Sequence, residues 1–396
     1  MAFSSFDDTP AAPRPVAQAP ALSRRAVLGA AGAAAAVALG AGRASAASLT
    51  PAAALTAGPL VLDGTVDAVG ICYSVWHNLA AGPGVAVYDN TDILNTSHAT
   101  GNPPAWGPLN AFHYWGRPAT GYYRSDDVAV LRTHASQLSS ARVDFVVVDA
   151  TNVQGARDAG SDNLYYSPMQ VLLDTWHDIR SSGGATPYVV PWVGTAASSS
   201  DPAGPGRETW NAFYASGAYD DLFVAYQGKP LLLTTDQLPD ELRTHFTLRK
   251  MWGLQGQLAD QEWSFLQDYP QQVGTSGGAP EQLAVCTALQ HTYMTAPDAV
   301  GRQGGRTFRD QWSRAFDVRP KVAMLTWWNE WMAQRFQDGS GNTLFVDNYD
   351  EPYSRDIEPM DPNQSGTHSD IYYQWMKLYI NAYKNHDPFP TDLIQS

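Results

Sequence analysis

The chain is poor in cysteine, in basic charge and in long apolar runs, and each shortage excludes something. Two cysteines, Cys72 and Cys286, in 396 residues leave no disulfide framework. Both sit in apolar, strand-like runs, and the sequence leaves open whether they are two buried thiols or one bridge. Lys and Arg number 25 against 39 Asp and Glu, a formal net charge of −14. There is no basic stripe, which argues against nucleic acid and anionic membranes as partners. After residue 60 no run is long and apolar enough to cross a bilayer, so no stable membrane insertion is expected. H-E-x-x-H, paired C-x-x-C and a phosphate-cradling glycine loop are also missing, which disfavours zinc and nucleotide enzymes and implies no cofactor. Gly274-Thr275-Ser276-Gly277-Gly278 matches the G-x-S-x-G nucleophile pattern in letters alone. It lacks a strand before it and a helix after it, and reads as a loop.

The N-terminus reads as an export signal. Ser23-Arg24-Arg25-Ala26-Val27-Leu28 follows the twin-arginine pattern, with Val27 and Gly29 departing from its commonest form. An alanine-rich stretch from Ala26 to Ala41 and the small-residue cleavage site Ala44-Ser45-Ala46 follow. Residues 1–46 are expected to be a signal peptide read by the twin-arginine export machinery, and the mature protein to be secreted. Losing that segment removes four arginines and two aspartates, so the mature chain is two charges more negative than the whole. Residues 47–60, rich in Ala, Thr and Pro, read as a linker. An acidic exported protein of this kind suits neutral or cationic polymers, and it is expected to act as a monomer.

From residue 61 to 390, apolar strand-like runs alternate with amphipathic helical ones. Seven runs read as strands: Val69–Val75, Val143–Val148, Tyr188–Trp192, Pro230–Thr234, Phe246–Trp252, Leu283–Leu289 and Val322–Trp327. Helices are expected from a Ser125 cap with Asp126 and Asp127 in the first turn, from Ser167-Pro168 through Ile179, over Arg207–Tyr219 and Phe308–Phe316, and from about Ser369 to Tyr383. The alternation specifies an α/β fold, best met by a (β/α)8 barrel with long strand-to-helix loops. The eighth strand is expected to be short and to lie within Phe345–Met360. A doubly wound open sheet is the alternative; it wants a glycine-rich first turn, which Gly70-Ile71-Cys72 is not.

Barrel chemistry gathers at the C-terminal ends of strands. The residues just past each run are Trp76 and His77, then Asp149, Thr151 and Asn152, then Trp192, Asp236 and Trp252, then Gln290 and His291. The seventh run ends in Trp327-Trp328-Asn329-Glu330-Trp331, a carboxylate among indoles. Burying an acid there is costly unless it is paired, neutralised or used. Indoles offer flat faces to sugar rings, and amides and carboxylates bond their diols. Each residue also has a plainer reading. Asp149 serves equally as a cap, His77 and His291 as bonded rim residues, Trp192 and Trp252 as core, and Glu330 as a structural acid. Two loops are long enough to be functional. One carries Phe112-His113-Tyr114-Trp115-Gly116. The other runs from Phe345 through Asp347, Asp350, Glu351, Arg355, Asp356 and Glu358, and reads as an acidic loop, a source of catalytic acids or a calcium site.

Phe112-His113-Tyr114-Trp115-Gly116, Gly121-Tyr122-Tyr123-Arg124-Ser125-Asp126-Asp127, Val143 to Asp149 and Trp328-Asn329-Glu330-Trp331 together resemble secreted glycoside hydrolases of the family 99-like and family 71-like type. The resemblance runs as scattered motifs from about residue 69 to 385. It implies a (β/α)8 barrel that cleaves glycosidic bonds in a polysaccharide or glycan without a metal in the chemical step, with Glu330 a catalytic carboxylate. Family 99 enzymes carry a second acid three residues on, where this chain has Ala333. That role then falls to Asp149 or to one of Asp347, Glu351, Asp356 and Glu358, or the linkage and mechanism differ. The expected catalytic residues are Glu330 and Asp149, with Asp356 and Glu358 in reserve. Substrate contacts are expected from Tyr73, Trp76, His77, His113, Asn152, Trp192, Trp252, Gln290, His291, Trp327, Trp328, Asn329, Trp331 and Arg355. The alternative is a carbohydrate-binding barrel that has lost one catalytic acid.

Overall fold

Val322-Ala323-Met324-Leu325-Thr326 has no polar face, and neither has Phe145-Val146-Val147-Val148; strands of this kind need cover on both sides. The structure, a computed structural model, describes residues 58–65, 67–82, 84–153, 157–253, 256–289, 299–345 and 350–395. Residues 1–46, the expected signal peptide, and most of the expected linker lie outside the described residues. Eight parallel strands supply that cover for one another: β1 (Ala68–Tyr73), β2 (Phe145–Ala150), β3 (Tyr188–Val193), β4 (Lys229–Thr234), β5 (Thr247–Gly253), β6 (Glu262–Leu266), β7 (Ala279–Cys286) and β8 (Val322–Thr326). Seven of the eight neighbouring pairs share parallel ladders, including β8 with β1. The eighth seam, β6 to β7, is bridged by a side chain. Gln282 accepts from the Ser264 backbone N–H at 3.0 Å and donates to the Ser264 carbonyl at 2.7 Å. The strands thus follow the cyclic order of a (β/α)8 barrel.

Side chains alternate between two layers, as strand geometry requires. Cys72, Phe145, Val147, Trp192, Leu233, Met251, Phe265, Cys286, Met324 and Trp327 fill the interior. Ile71, Tyr73, Val146, Val148, Val189, Leu232, Val285 and Leu325 face the helices. The described helices include α1 (Asn90–Thr100), which contributes no residue to this layer, and α2 (Val128–Ser140), α3 (Ser167–Ser181), α4 (Gly204–Thr209), α5 (Arg306–Val318) and α6 (Ile371–Asn385). At the N-terminal end the interior is closed by a buried Arg249–Glu281 pair at 2.8 Å, to which Trp263 and Tyr226 also donate. That end is a packed plug, while the C-terminal end is left for a site.

The expected eighth strand is corrected: it is β6, not a segment of 345–360. Glu262-Trp263-Ser264-Phe265-Leu266 is short and interrupted by Ser264, so it carries a weak strand signal. The start of α2 is corrected too. Asp127 is its cap, accepting from the Ala129 and Val130 N–H groups, while Ser125 accepts from the His77 N–H instead. Gly274–Ser276 forms a short strand antiparallel to the start of β7, so the order there is strand, turn, strand rather than a nucleophile elbow. Among the described residues, no helix is long and apolar enough to cross a membrane.

Candidate active site

At the exit of β8 the chain is clamped from several directions. Asn329 reaches β1: its Oδ1 accepts from the Ser74 N–H at 2.8 Å and its Nδ2 donates to the Ser74 carbonyl at 3.0 Å. The run Ser354 to Glu358 lies alongside Trp327 to Glu330. Trp327 N–H donates to the Arg355 carbonyl, and the Ile357 and Glu358 N–H groups donate to the Trp328 carbonyl. Side chains of the same run complete the grip. Arg355 Nη2 sits 2.7 Å from Glu330 Oε2, and both side chains are almost wholly buried, 1% and 3% exposed. The Asp356 carboxylate accepts from the Glu330 backbone N–H, from Trp115 Nε1 at 2.6 Å and from Ser354 Oγ at 3.2 Å. Burial pushes its carboxyl up to about 7, against those hydrogen bonds. Glu358 accepts from Tyr123 OH at 2.7 Å and Trp331 Nε1 at 2.6 Å on one oxygen, and lies 2.9 Å from His134 Nε2 on the other. Burial pushes the Glu358 carboxyl up, but the His134 charge and these bonds outweigh it and hold the group below its usual range.

The Cys72 thiol is pushed well up, first by burial, then, beyond an offsetting Thr326 hydrogen bond, by the charges of Asp149 and Glu330. Both carboxylates therefore lie within electrostatic reach of one inward-facing thiol at the C-terminal end of the barrel. Asp149 ends β2 opposite Trp192, is 7% exposed, and accepts from the Thr151 N–H at 2.8 Å. Burial raises the Cys286 thiol to about 12, and the Arg355 charge acts on it in the opposite sense, offsetting part of that rise. Both cysteines are free and buried. An aromatic wall stands beside them. Trp192 meets Trp252, Phe265 and Trp327 with ring centres 5.8, 5.1 and 6.3 Å apart, and Trp252 is partly exposed.

Several expected contact residues lie elsewhere. Tyr73 and Trp328 belong to the helix-facing layer, because alternation at the strand ends sends them outward. Tyr73 OH is 2.7 Å from His134 Nδ1, and Trp328 packs edge-on against His134 and Tyr373. Trp331 is fully buried, stacked on Trp115 at 4.5 Å. His113 is fully buried beside Asn90 Oδ1 at 2.9 Å, and burial lowers it to about 4. His77 is sealed against Ser125 and likewise lowered by burial to about 4, so it stays neutral near pH 7. Trp76 is partly exposed and meets Phe112 edge-on; Asn152 is exposed just beyond β2. Gln290, His291 and Asp347 lie outside the described residues. Asp356 and Glu358, held in reserve as catalytic acids, are 0% and 1% exposed, and both oxygens of each carboxylate are engaged by the contacts above. The run they belong to is a cradle for Glu330. Sequence reasoning missed His134 altogether; its only signal was a histidine on the apolar face of a helix. Among the described residues, no group of three His, Cys, Asp or Glu side chains is arranged to hold a metal ion.

No family model matches the chain, and no curated protein matches it. Among solved structures it is similar to the GH99 endo-alpha-mannosidase from Bacteroides thetaiotaomicron, at 13% identity and a TM-score of 0.49, over 81% of this chain and 98% of that one. It is also similar to a glycoside hydrolase-like protein, at 10% identity and a TM-score of 0.46, over 81% of this chain and 95% of that one. Likeness at this level assigns neither residues nor activity.

Proposed function

We propose that the protein is a glycoside hydrolase in which Glu330 and Asp149 form the acid pair. The supporting observation is the Glu330–Arg355 ion pair, placed with Asp149 around one inward-facing thiol at the C-terminal end of the barrel. An arginine 2.7 Å away favours the carboxylate. Glu330 is therefore assigned as base or nucleophile at the anomeric side. Asp149 is assigned as the acid that protonates the leaving oxygen. Trp252, backed by Trp192 and Phe265, supplies an aromatic face of the kind sugar rings stack on.

One observation favours a second reading, a glycan-binding barrel without turnover: Glu330 is only 3% exposed and Trp327 only 2%. A panel of neutral polysaccharides and glycans separates the two. For a hydrolase, the mature chain releases reducing ends. Glu330→Gln and Asp149→Asn each then cut the rate by about 10²–10⁴, the usual worth of an acid–base group. Each variant is checked by circular dichroism. Binding without release of reducing ends supports the second reading. Neither binding nor release rejects both.

A further inference from the structure

The acid pair makes no use of His134, a fully buried titratable group near it. It sits on α2 with no exposure, caged edge-on by Tyr73, Tyr123 and Trp328 at ring distances of 5.6, 5.5 and 5.6 Å. Nε2 is 2.9 Å from Glu358 Oε1 and Nδ1 is 2.7 Å from Tyr73 OH. Both protonation states of the imidazole satisfy these contacts. Nε2–H donates to Glu358 in either, while Nδ1 accepts from Tyr73 when neutral and donates when charged. The titratable groups facing it are Tyr73 from β1, His77 from the turn after β1, Tyr123 from the loop before α2, and Glu358.

Glu358 passes the constraint on. Its second oxygen holds Trp331 Nε1, next in the chain to Glu330, and Tyr123 OH. Tyr123 OH in turn lies 3.2 Å from Asn329 Nδ2, on the other side of Glu330. We infer that His134 is a positioning residue for Glu330: by holding Glu358 it fixes Trp331 and, through Tyr123, Asn329, the two neighbours that aim the Glu330 side chain. The inference deepens the hydrolase reading and, as a statement about Glu330's work, rests on it.

The sign of the pH effect follows from the partners of Glu358. Burial alone raises its carboxyl, and His134 is the largest influence offsetting that. In His134→Phe, burial prevails and Glu358 takes up a proton at higher pH on the vacated Oε1, which weakens the bonds that Trp331 and Tyr123 make to Oε2. The variant is expected to lose kcat with little change in KM. The acid limb of its kcat profile should move up by about one pH unit or more, equivalent to at least about 1.4 kcal/mol. His134→Gln keeps an N–H near Glu358 and should recover part of both effects.

A second readout needs no turnover. The Trp331 indole N–H resonance, identified by its loss in Trp331→Phe, reports the protonation of Glu358 in a pH titration. Its midpoint should rise in His134→Phe and fall back in His134→Gln. If neither the midpoint nor the acid limb moves in a folded variant, the inference is overturned. If His134→Phe fails to fold, His134→Gln decides it on the same two readouts. A wild-type chain that hydrolyses nothing rejects the hydrolase reading, while the Trp331 titration still decides whether His134 holds the Glu358 clamp.

Discussion

Glu330 and Arg355 are both nearly dry, and neither tolerates that alone. A buried ion pair offsets much of the desolvation of its partners, and deleting one member removes that contribution from the other. Arg355→Met is therefore expected to destabilise the fold by about 3–5 kcal/mol in urea melts at pH 7. The pair Arg355→Met with Glu330→Gln should cost less than the sum of the two, because both single changes remove the same contact. Strict additivity would mean that the two side chains do not interact. Glu330 stands out in the sequence as a candidate because an acid among three indoles has few reasons to be there. Its partner does not, since the contact depends on how residues 354–358 fold back along the β8 exit. Tyr73, Trp328 and Trp331 were misread for a different reason. Nearness to a strand tip along the chain does not say which layer a side chain enters, and alternation sends every second one away from the mouth.

Among elements, the strands were the most legible and the boundaries the least. Continuous β-branched runs identified β2 and β8, whereas β6 escaped notice because Ser264 breaks its apolar character. That serine sits at the one seam without a backbone ladder. There its peptide N–H and carbonyl are buried, and both are bound by the Gln282 side chain. Gln282→Leu preserves bulk but strands both groups, each worth about 1–3 kcal/mol when left unsatisfied in the interior. The variant should lose about 2–6 kcal/mol in denaturant unfolding measurements, and the amides of Ser264 to Leu266 should exchange faster than those of β1 and β2. Uniform acceleration across all eight strands would show that this seam is no weaker than the rest. The cap of α2 teaches the same lesson on a smaller scale. Ser125 and Asp127 are both good caps, and Ser125 was taken up by His77, a contact outside any local window.

At the scale of the whole molecule, the interior layer and the helix-facing layer must open together for either to be reached. Cys72 on β1 and Cys286 on β7 are fully buried in the interior layer, on strands that both flank β8. Burial is the main cause raising both thiols, Cys286 to about 12, so a native thiolate is scarce even at mildly alkaline pH. Reaction with a disulfide reagent requires the thiolate and access to it. The native chain is thus expected to leave both cysteines unlabelled over hours at pH 8, and denaturant to expose two reactive thiols. Under conditions where a small fraction of molecules opens, the two labelling rates should be equal, since one global opening releases both. Peptide mapping after a labelling pulse measures each rate separately. If Cys286 reacts ahead of Cys72, the barrel opens first at the β6–β7 seam, where a glutamine side chain does the work of a ladder, and the claim of a single cooperative interior is wrong.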